Sequence, residues 1–597
     1  MSDNQKKIIP INYTNRDFTS IKKDLLDIAE RLYPDSFQDF SDAAFSSLML
    51  DAVAYVGDQL SFYLDYNVNE SFLDTSYQYN NILRHGKSLG FKFTGRPSTY
   101  GKAAIYIRLP ATGVGLGINR NYAPILKAGT QFKSSTGLNF TLVDNIDFSD
   151  NRLPVVPVAT NANGSPTFYG VKAYGTVVSG LLLTETVNVG NFQKFARISL
   201  SSQNVSEIIS VFDSDGNEYF EVDYLAQDIV YREISNTNFK NDNVPSIIKP
   251  HLVTRKFTVE TNNNNTILQF GSGKASDTNI VADPQSVAIN VHGKTYTTSR
   301  SFDPTRLSQN ESLGIVPENT TLTVTLRATN PGSSNLSVGQ LNQATNVLLD
   351  FTDRTVLSDS VIDGIRTSVE VNNEQPITGD VSNATSDEIK QRIFDTFPTQ
   401  NRAVTQADYE NLAYRMHSKF GSVKRVSVQR DPDSQKRNLN MYVISEDSFG
   451  KLQKTNSTIK RNLKIWLNEY RMINDTIDIL DPYILNFGIE FSIKTTPGAD
   501  KRTTISRCVA ALAQKFNNNY YIGESIVISD IYSTLNATTG VQDVIKARVV
   551  NKTGTSYSSS TIDINSNLSP DGNQLMIPKN AIVEFKFPET DFVGKAK

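Results

Sequence analysis

The sequence contains almost no cysteine and very little histidine. Cys508 is the only cysteine among 597 residues, so the chain has no intrachain disulfide framework and no cysteine set for a zinc ribbon or a dithiol relay. This composition favours folding in a reducing cytosol. The four histidines show no spacing typical of metal ligands, and they are His85, His251, His292 and His417.

Long hydrophobic runs are also missing. No uninterrupted stretch of about 18 apolar residues occurs, and the N-terminus "MSDNQKKIIPINYTNRDF" lacks an apolar segment followed by a small-residue cleavage site. We therefore expect a soluble protein that neither spans a membrane nor carries a signal peptide.

Positive and negative charges nearly cancel. Lys and Arg number 59 against 62 Asp and Glu, which gives a net charge of -3. A protein whose whole surface binds nucleic acid or an anionic membrane would be markedly basic, so neither is an expected partner. The length suggests about three or four domains of roughly 150 residues each.

The chain reads as three regions of different pattern. Residues 1–95 predict helices, 96–379 predict short strands with Asn-, Ser- and Thr-rich turns, and 380–597 alternate helices with strands. We predict an α+β multidomain protein: an N-terminal helical bundle segment, a central β-rich region, and C-terminal α+β sandwich-like domains.

Local signals support this division. Three pairs of residues have capping-box spacing at helix starts, namely Thr14 with Asp17, Thr385 with Glu388, and Thr405 with Asp408. The first predicted helix stops at Pro34, and a third, "TSYQYNNILRHGKSLG", ends at Gly86 or Gly90. In "LNFGIEFSIKT" the apolar residues alternate strictly, which predicts a strand, and they are Leu485, Phe487, Ile489, Phe491 and Ile493.

The helix predicted around residues 42–70 has an unusually wide apolar surface. At 100° per residue its apolar side chains form two adjacent stripes that cover about half the circumference or more. A helix on one globular core needs a stripe of only a little over ~100°, so this one should pack against two neighbours. The stripes are Phe45, Met49, Ala52, Val56, Leu60 and Tyr63, and beside them Leu48, Tyr55, Phe62 and Tyr66.

The remaining face of this helix carries an Asp at every seventh position. Asp51, Asp58 and Asp65 lie there with Ser47, Ala54 and Ser61, and we expect this face to be solvated. Successive Asp residues would be roughly 10.5 Å apart along the axis, which is too far to share a metal ion. Whether the partner helices belong to the same chain or to another one stays open on this pattern alone.

Three short sequences match catalytic or nucleotide-binding motifs, but the residues around each match do not fit the motif. "GKSLG" matches the nucleophile elbow and nominates Ser88, but a helix precedes it and a strand-like segment follows, the reverse of the required order. "GVGLG" from Gly113 is followed by extended sequence where a dinucleotide-binding helix should begin. "FGSGK" resembles a phosphate loop, but Gln269 and Ala275 occupy two of the required positions.

No catalytic, cofactor-binding or metal-binding set survives, and we predict that the protein is not an enzyme. The acidic run "VFDSDGNEYFEVDY" nominates Asp213, Asp215 and Glu218 for a hydrolase, yet Asp215-Gly216 predicts a hairpin turn first. Trp466 is interpreted as a core anchor.

A set of motif positions runs from the N-terminal helices through a Gly-Thr turn to the start of the C-terminal region, namely Asp17, Phe18, Pro34, Asp58, Asn69, Glu70, Gly129, Thr130, Arg402, Thr405, Asp408 and Tyr409. On these positions the chain resembles baseplate wedge proteins of contractile-tailed phages, within the baseplate J-like family. The N-terminal helices carry the most specific part of this resemblance, whereas residues about 141–255 match least well and suggest an insertion.

The resemblance implies a structural role in the virion tail baseplate, with assembly in the host cytoplasm. Such proteins dimerise through the C-terminal region and form a six-fold inner ring around the tail tube. They contribute N-terminal helices to a bundle with another wedge subunit, and they contact sheath-initiating or hub and tube proteins. The ring rearranges when the sheath contracts.

On this reading the ten apolar residues of the two stripes form a subunit interface. An alternative is a receptor-binding tail protein or adhesin, which the Asn-, Ser- and Thr-rich central region suggests.

Overall fold

The computed structural model describes most of the chain. The described residues are 17–32, 45–93, 95–112, 117–236, 246–262, 265–274, 313–330, 332–382, 384–432, 438–516 and 520–597. They divide into two compact units. One comprises described residues up to Lys92 together with Ala384–Pro398, and we call it the helical head. The other comprises Phe93–Asn383 and Thr399–Lys597.

Helices occur in the head and in the C-terminal region, and one short helix, Asp359–Thr367, lies near the end of the β-rich middle region. In chain order they are α1 Phe18–Leu32, α2 Phe45–Glu70, α3 Tyr79–Ser88, α4 Asp359–Thr367, α5 Ser386–Thr399, α6 Gln406–Tyr414, α7 Ser457–Asn468, α8 Lys501–Lys515, α9 Ile528–Asn536 and α10 Pro588–Asp591. Short 3-10 turns lie at Arg120–Tyr122, Arg354–Val356, Ser418–Phe420 and Asn565–Asn567.

The middle of the chain is built from strands. They are β1 Tyr100–Pro110, β2 Ile125–Leu126, β3 Gln131–Ser134, β4 Asn139–Leu142, β5 Ile146–Asp147, β6 Val155–Thr160, β7 Pro166–Ser179, β8 Leu181–Val189, β9 Arg197–Ser199, β10 Val205–Phe212, β11 Glu218–Glu221, β12 Ile229–Ser235, β13 Ser246–Leu252, β14 Lys256–Asn262, β15 Asn265–Phe270, β16 Thr320–Ala328, β17 Leu341–Asn346, β18 Leu349–Asp350 and β19 Glu370–Asn372.

The C-terminal strands are β20 Arg425–Arg430, β21 Asn438–Glu446, β22 Leu452–Lys454, β23 Thr476–Leu480, β24 Tyr483–Thr495, β25 Ile526–Val527, β26 Val541–Asn551, β27 Gln574–Leu575, β28 Ala581–Glu584 and β29 Phe592–Ala596. With the helical head and the β-rich middle, these strands and helices confirm the predicted α+β multidomain fold class.

Two large sheets organise the middle region. The first has the order β17-β3-β4-β7-β1-β19 with β6 beside β7, and its core is centred on Ile105, Phe132 and Phe140. The second has the order β8-β16-β10-β11-β14-β15-β9 around Val211, Phe257 and Leu322. Residues 141–255, the predicted insertion, supply β7 to the first sheet and β8 to β11 to the second.

Gly180 marks the point where the chain leaves the first sheet for the second. It separates β7 from β8, and its φ of +105° lies in the region that favours glycine. A Cβ at this position would lie 2.4 Å from the carbonyl oxygen of Ala328 in β16. Only glycine therefore allows the two backbones to approach this closely.

The C-terminal region contains two α+β modules. In the first, α6 and α7 cover the β20–β21 sheet around Tyr409 and Leu463. In the second, α8 and α9 contribute Cys508 and Leu535 to the core of the β24 sheet. The alternating residues Leu485, Phe487, Ile489, Phe491 and Ile493 all lie in β24 and are buried, as their pattern predicted.

Most family-motif residues outside the head have structural roles. Thr405 and Asp408 form the predicted capping box of α6, and Tyr409 donates a hydrogen bond to Asp475, 2.8 Å between the oxygens.

Gly129 has a positive φ, and Thr130 Oγ1 accepts from the Leu348 amide. The Arg402 side chain is exposed, and its guanidinium lies 3.5 Å from Gln400 Oε1.

A buried polar network connects the β-rich region to the first C-terminal module. The Asp380 carboxylate accepts from the Ser334 amide, and burial raises the pKa of Asp380. Glu446 accepts from the Ser382 amide and pairs with Lys424 at 2.9 Å. Each of these buried carboxylates is thus hydrogen-bonded or ion-paired, and these contacts position the segment around residue 380.

We expect Gly180→Ala to lower the free energy of unfolding by about 2 kcal/mol or more. Placing a Cβ at such a φ costs roughly 1–2 kcal/mol, and the contact with Ala328 adds to this. Gly137→Ala is the matched control, because Gly137 has a φ of +88° with nothing within 4 Å of its would-be Cβ. Equal losses of stability on urea denaturation would contradict the role assigned to the close approach.

Candidate functional site

Asp17, one of the family-motif residues, immediately precedes helix α1. Ser20 donates its amide to Asp17 Oδ2 and its hydroxyl to Oδ1, at 3.3 and 2.7 Å. The hydrogen bond from the Ser20 side chain lowers the pKa of Asp17. The predicted capping box places Asp17 inside the first turn, but Asp17 itself is the N-cap. Thr14, like Pro34, lies outside the described residues.

Helix α1 packs on the small-residue face of α2. Ser47 and Ala54 are buried, 2% and 0% exposed, and a Cβ on Gly57 would lie 3.3 Å from Cδ1 of Ile21. Lys22 of α1 pairs with Asp51 at 2.7 Å. The prediction that the Asp-bearing face is solvated is therefore wrong for Ser47 and Ala54, which are buried, while the Asp51 side chain stays 35% exposed beside Lys22. Small side chains allow close helix packing, and the lysine neutralises the carboxylate.

The predicted interface residues lie on the opposite, uncovered side of α2. Eight of them are between 53% and 76% exposed, namely Phe45, Leu48, Met49, Tyr55, Val56, Leu60, Phe62 and Tyr63. Ala52 is also exposed, whereas Tyr66 is half-buried and its hydroxyl accepts from Gln78. We call these ten residues the α2 apolar face.

The uncovered apolar surface is wider than the sequence prediction. Val53, Leu64 and Val68 are also exposed and border the α2 apolar face. Together these side chains span roughly two thirds of the helix circumference at 100° per residue. The three residues were visible in the sequence, but they fall between the predicted stripes and the face that α1 covers.

Glu70 closes the turn between α2 and α3. Its buried carboxylate accepts from the amides of Tyr77 and Gln78, at 2.8 and 3.2 Å, and from Asn81 Nδ2 at 2.8 Å. The hydrogen bond from Asn81 is the largest cause of the lowered pKa of Glu70. Gln78 provides no side-chain cap for α3, and Glu70 accepts the two amides that immediately precede that helix, so it orders the turn leading into α3.

The backbone around Glu70 is fixed as well. His85 Nε2 donates to the Glu70 carbonyl oxygen at 2.8 Å, and the Asn69 carbonyl accepts from Thr75 Oγ1 at 2.7 Å. The motif residues Asn69 and Glu70 thus order the turn. Asp58 is half-buried on α2, and Phe18 is the first residue of α1.

A fourth helix of the head comes from far along the chain. Ile389 and Ile393 of α5 are buried with Ile82 of α3, and Lys390 donates to the Asp74 carbonyl oxygen at 2.9 Å. Gly86 lies within α3, where a Cβ would come 2.8 Å from Ile393 Cδ1. Of the two predicted endings of α3, Gly86 is therefore wrong and Gly90 is confirmed, because the helix runs to Ser88 and Gly90 follows with a positive φ.

The residues nominated for catalysis have structural partners. Ser88 Oγ donates to the His85 carbonyl at the end of α3. Asp213 accepts from the amides of Asp215 and Asn217 in the predicted hairpin turn, and Glu218 pairs with Arg232 at 3.2 Å.

Trp466, which was interpreted as a core anchor, also has a structural partner. Trp466 Nε1 donates to the Leu412 carbonyl at the edge of the first C-terminal module's core. His292 and Ala275 lie outside the described residues.

Within the described ranges, no group of three or more His, Cys, Asp or Glu could hold a metal ion. Among the described helices, none is both long and apolar enough to cross a membrane. The α2 apolar face is thus the feature of the helical head that calls for a function.

Comparison with known proteins gives one family match, in the helical head. Residues 17–88 match the family model described as "Bacteriophage baseplate protein, N-terminal domain". This segment contains the described parts of α1, α2 and α3. No curated protein matches the chain.

Two solved baseplate assemblies are weakly similar to the chain. The anti-feeding prophage baseplate matches with a TM-score of 0.26 and 11% identity, over 94% of this chain and 90% of that chain. The type VI secretion TssK-TssF-TssG baseplate subcomplex matches with a TM-score of 0.22 and 10% identity, over 73% of this chain and 96% of that chain.

We expect Glu70→Gln to loosen the turn between α2 and α3. Because the pKa of Glu70 is lowered in the folded chain, its ionised form stabilises the turn above the unfolded pKa of about 4.3, and this stabilisation is lost as the pH falls through the folded pKa. Hydrogen exchange in residues 71–82 should be faster in the variant at neutral pH.

The control for this experiment is Asp74→Asn in the same turn. Asp74 holds Lys390 through its carbonyl oxygen, which the substitution keeps. Unchanged exchange in Glu70→Gln, or an equal effect in Asp74→Asn, would contradict the assigned role of the Glu70 carboxylate.

Proposed function

We propose that the protein is a non-enzymatic structural subunit of the baseplate wedge in a contractile phage tail. The observation that carries this proposal is the α2 apolar face, which lies exposed in a segment that matches the N-terminal domain of bacteriophage baseplate proteins. In this role the subunit contributes to the inner ring around the tail tube and takes part in the rearrangement that triggers sheath contraction.

The physical argument starts from the cost of leaving this face in water. Transfer of apolar surface out of water contributes about 25 cal/mol per Å², and monomeric soluble proteins rarely expose large contiguous apolar patches. The α2 apolar face follows one helix, so its natural partners are other helices. A helix-to-helix interface is therefore the function that the face supports best.

The width of the exposed arc also bears on the number of partners. A helix packed on one neighbour buries a stripe of a little over ~100°. The arc on α2 is roughly twice that width, so we infer that at least two further helices cover it. In the proposed wedge these helices come from neighbouring baseplate subunits.

The remaining parts of the proposal follow the family resemblance. The C-terminal α+β modules make the dimer contact within the six-fold ring, and the ring adjoins sheath-initiating or hub and tube proteins. The protein is assembled in the host cytoplasm and resides in the virion tail baseplate.

The bundle proposal predicts that Leu60→Asp prevents wedge assembly without unfolding the chain. Leu60 is 58% exposed, and exposed substitutions usually change stability by less than about 0.5 kcal/mol. Loss of an interface hot spot costs at least about 2 kcal/mol, or roughly 30-fold in affinity. Co-purification with wedge subunits from infected cells measures the loss.

Ile473→Asp is the matched control for this experiment. Ile473 is 96% exposed and lies between α7 and β23, outside the head, so its replacement should leave head-mediated assembly intact. Normal assembly by Leu60→Asp with the fold preserved would refute the bundle proposal.

The dimer part has its own test on the full-length chain. Size-exclusion chromatography with light scattering should give twice the chain mass of 66.3 kDa. A monomer at micromolar concentration would refute self-association through the C-terminal modules while leaving the role of α2 unaffected.

A further inference from the structure

A groove between the two C-terminal modules has the features of a peptide-binding site. Its cavity of about 620 Å³ is bounded on one side by β22 and on the other by the loop at Thr555–Ser558 and the ends of β24 and β28. Ligand sites in proteins typically have volumes of ~300–1,000 Å³. The groove therefore accommodates a few residues of an extended chain, but not a folded domain.

Strand β22 presents an open edge to this groove. It pairs with β21 on one side, and the described residues place no strand on its other side. The Leu452 amide points away from β21, because it donates to Glu584 Oε1 at 2.8 Å. Main-chain groups alternate in direction along an antiparallel strand, so the N–H and C=O of Lys454 also point away from β21.

The buried polar side chains at the floor of the groove are hydrogen-bonded to one another and to the neighbouring backbone. Glu584 and Asn486 are both buried, and Asn486 Nδ2 donates to Glu584 Oε2 at 2.7 Å. The Ser558 amide donates to Asn486 Oδ1 at 2.7 Å, which ties the loop to the floor. The Glu584 carboxylate thus accepts one amide of β22 and joins this strand to the floor of the groove.

The rim carries positive charge. Lys454 is exposed on the β22 side, and Lys586 lies on the opposite side, where its Nζ donates to the Ser556 carbonyl at 2.7 Å. Among the described residues that line the groove, Glu584 is the only carboxylate, and it is buried. A segment that enters the groove therefore meets two lysines and no exposed acid.

We propose that this groove binds an extended acidic segment of a partner protein, which pairs as a strand with the open edge of β22 and places its carboxylates beside Lys454 and Lys586. Main-chain hydrogen bonds give such a contact its affinity, and the two lysines select acidic over basic sequences. The inference is independent of the role proposed for α2, because it concerns a different unit and a polar surface.

The test uses the full-length chain and a fluorescein-labelled peptide, Glu-Val-Thr-Val-Glu-Val-Glu, with fluorescence anisotropy as the readout. We expect saturable binding of this peptide and none of Lys-Val-Thr-Val-Lys-Val-Lys. The double variant Lys454→Glu with Lys586→Glu should bind the acidic peptide about tenfold more weakly. Lys464→Glu is the control, because Lys464 is exposed on α7 away from the groove.

Two further measurements separate strand pairing from simple attraction of an anion. The acidic peptide with alternate main-chain nitrogens methylated should fail to bind, and the unmodified peptide should slow hydrogen exchange in a fragment containing Lys454. Absence of saturable binding would overturn the proposal. Equal binding of the methylated peptide, or equal affinity in the double variant and the control, would do so as well.

Discussion

The organisation of the helical head depends on how α1 meets α2. Close packing requires a face with small side chains, and on α2 that face contains Ser47, Ala54 and Gly57 rather than the large apolar residues. Once α1 occupies it, with Lys22 neutralising Asp51, the aromatic and aliphatic side chains of α2 face outward. The exposed apolar surface is thus a consequence of the internal packing.

Sequence patterns correctly predicted features that depend on neighbouring residues. The features that the sequence did not predict depend mostly on contacts between residues far apart in the chain. The capping box of Thr405 and Asp408 and the alternation in β24 are set by neighbours in sequence, and both were correct. The wide apolar arc of α2 was also predicted, but a helical wheel cannot show which face of the helix packs against another helix of the same chain. The contact of α5 with α3 could not be predicted either, since Ile82 and Ile393 are some 300 positions apart.

Several family-motif residues have local structural roles, whereas the α2 apolar face does not. Glu70 and Asp17 organise helix starts, while Thr130 and Asp408 hold turns and caps. None of these roles involves chemistry on a substrate. The α2 apolar face, in contrast, is largely exposed in the part of the chain that the structure describes, and the role proposed for it is contact with partner subunits.

The exposed arc also constrains how a partner can bind. Since one helix covers a little over ~100° of its neighbour, a single partner would leave a second apolar strip on α2 in water. That complex would still be prone to bind another helix, and the head would reach its most stable state only when both strips are covered. An interface of this shape favours completion of a bundle over an isolated pair, which suits the role proposed for the protein as a baseplate subunit.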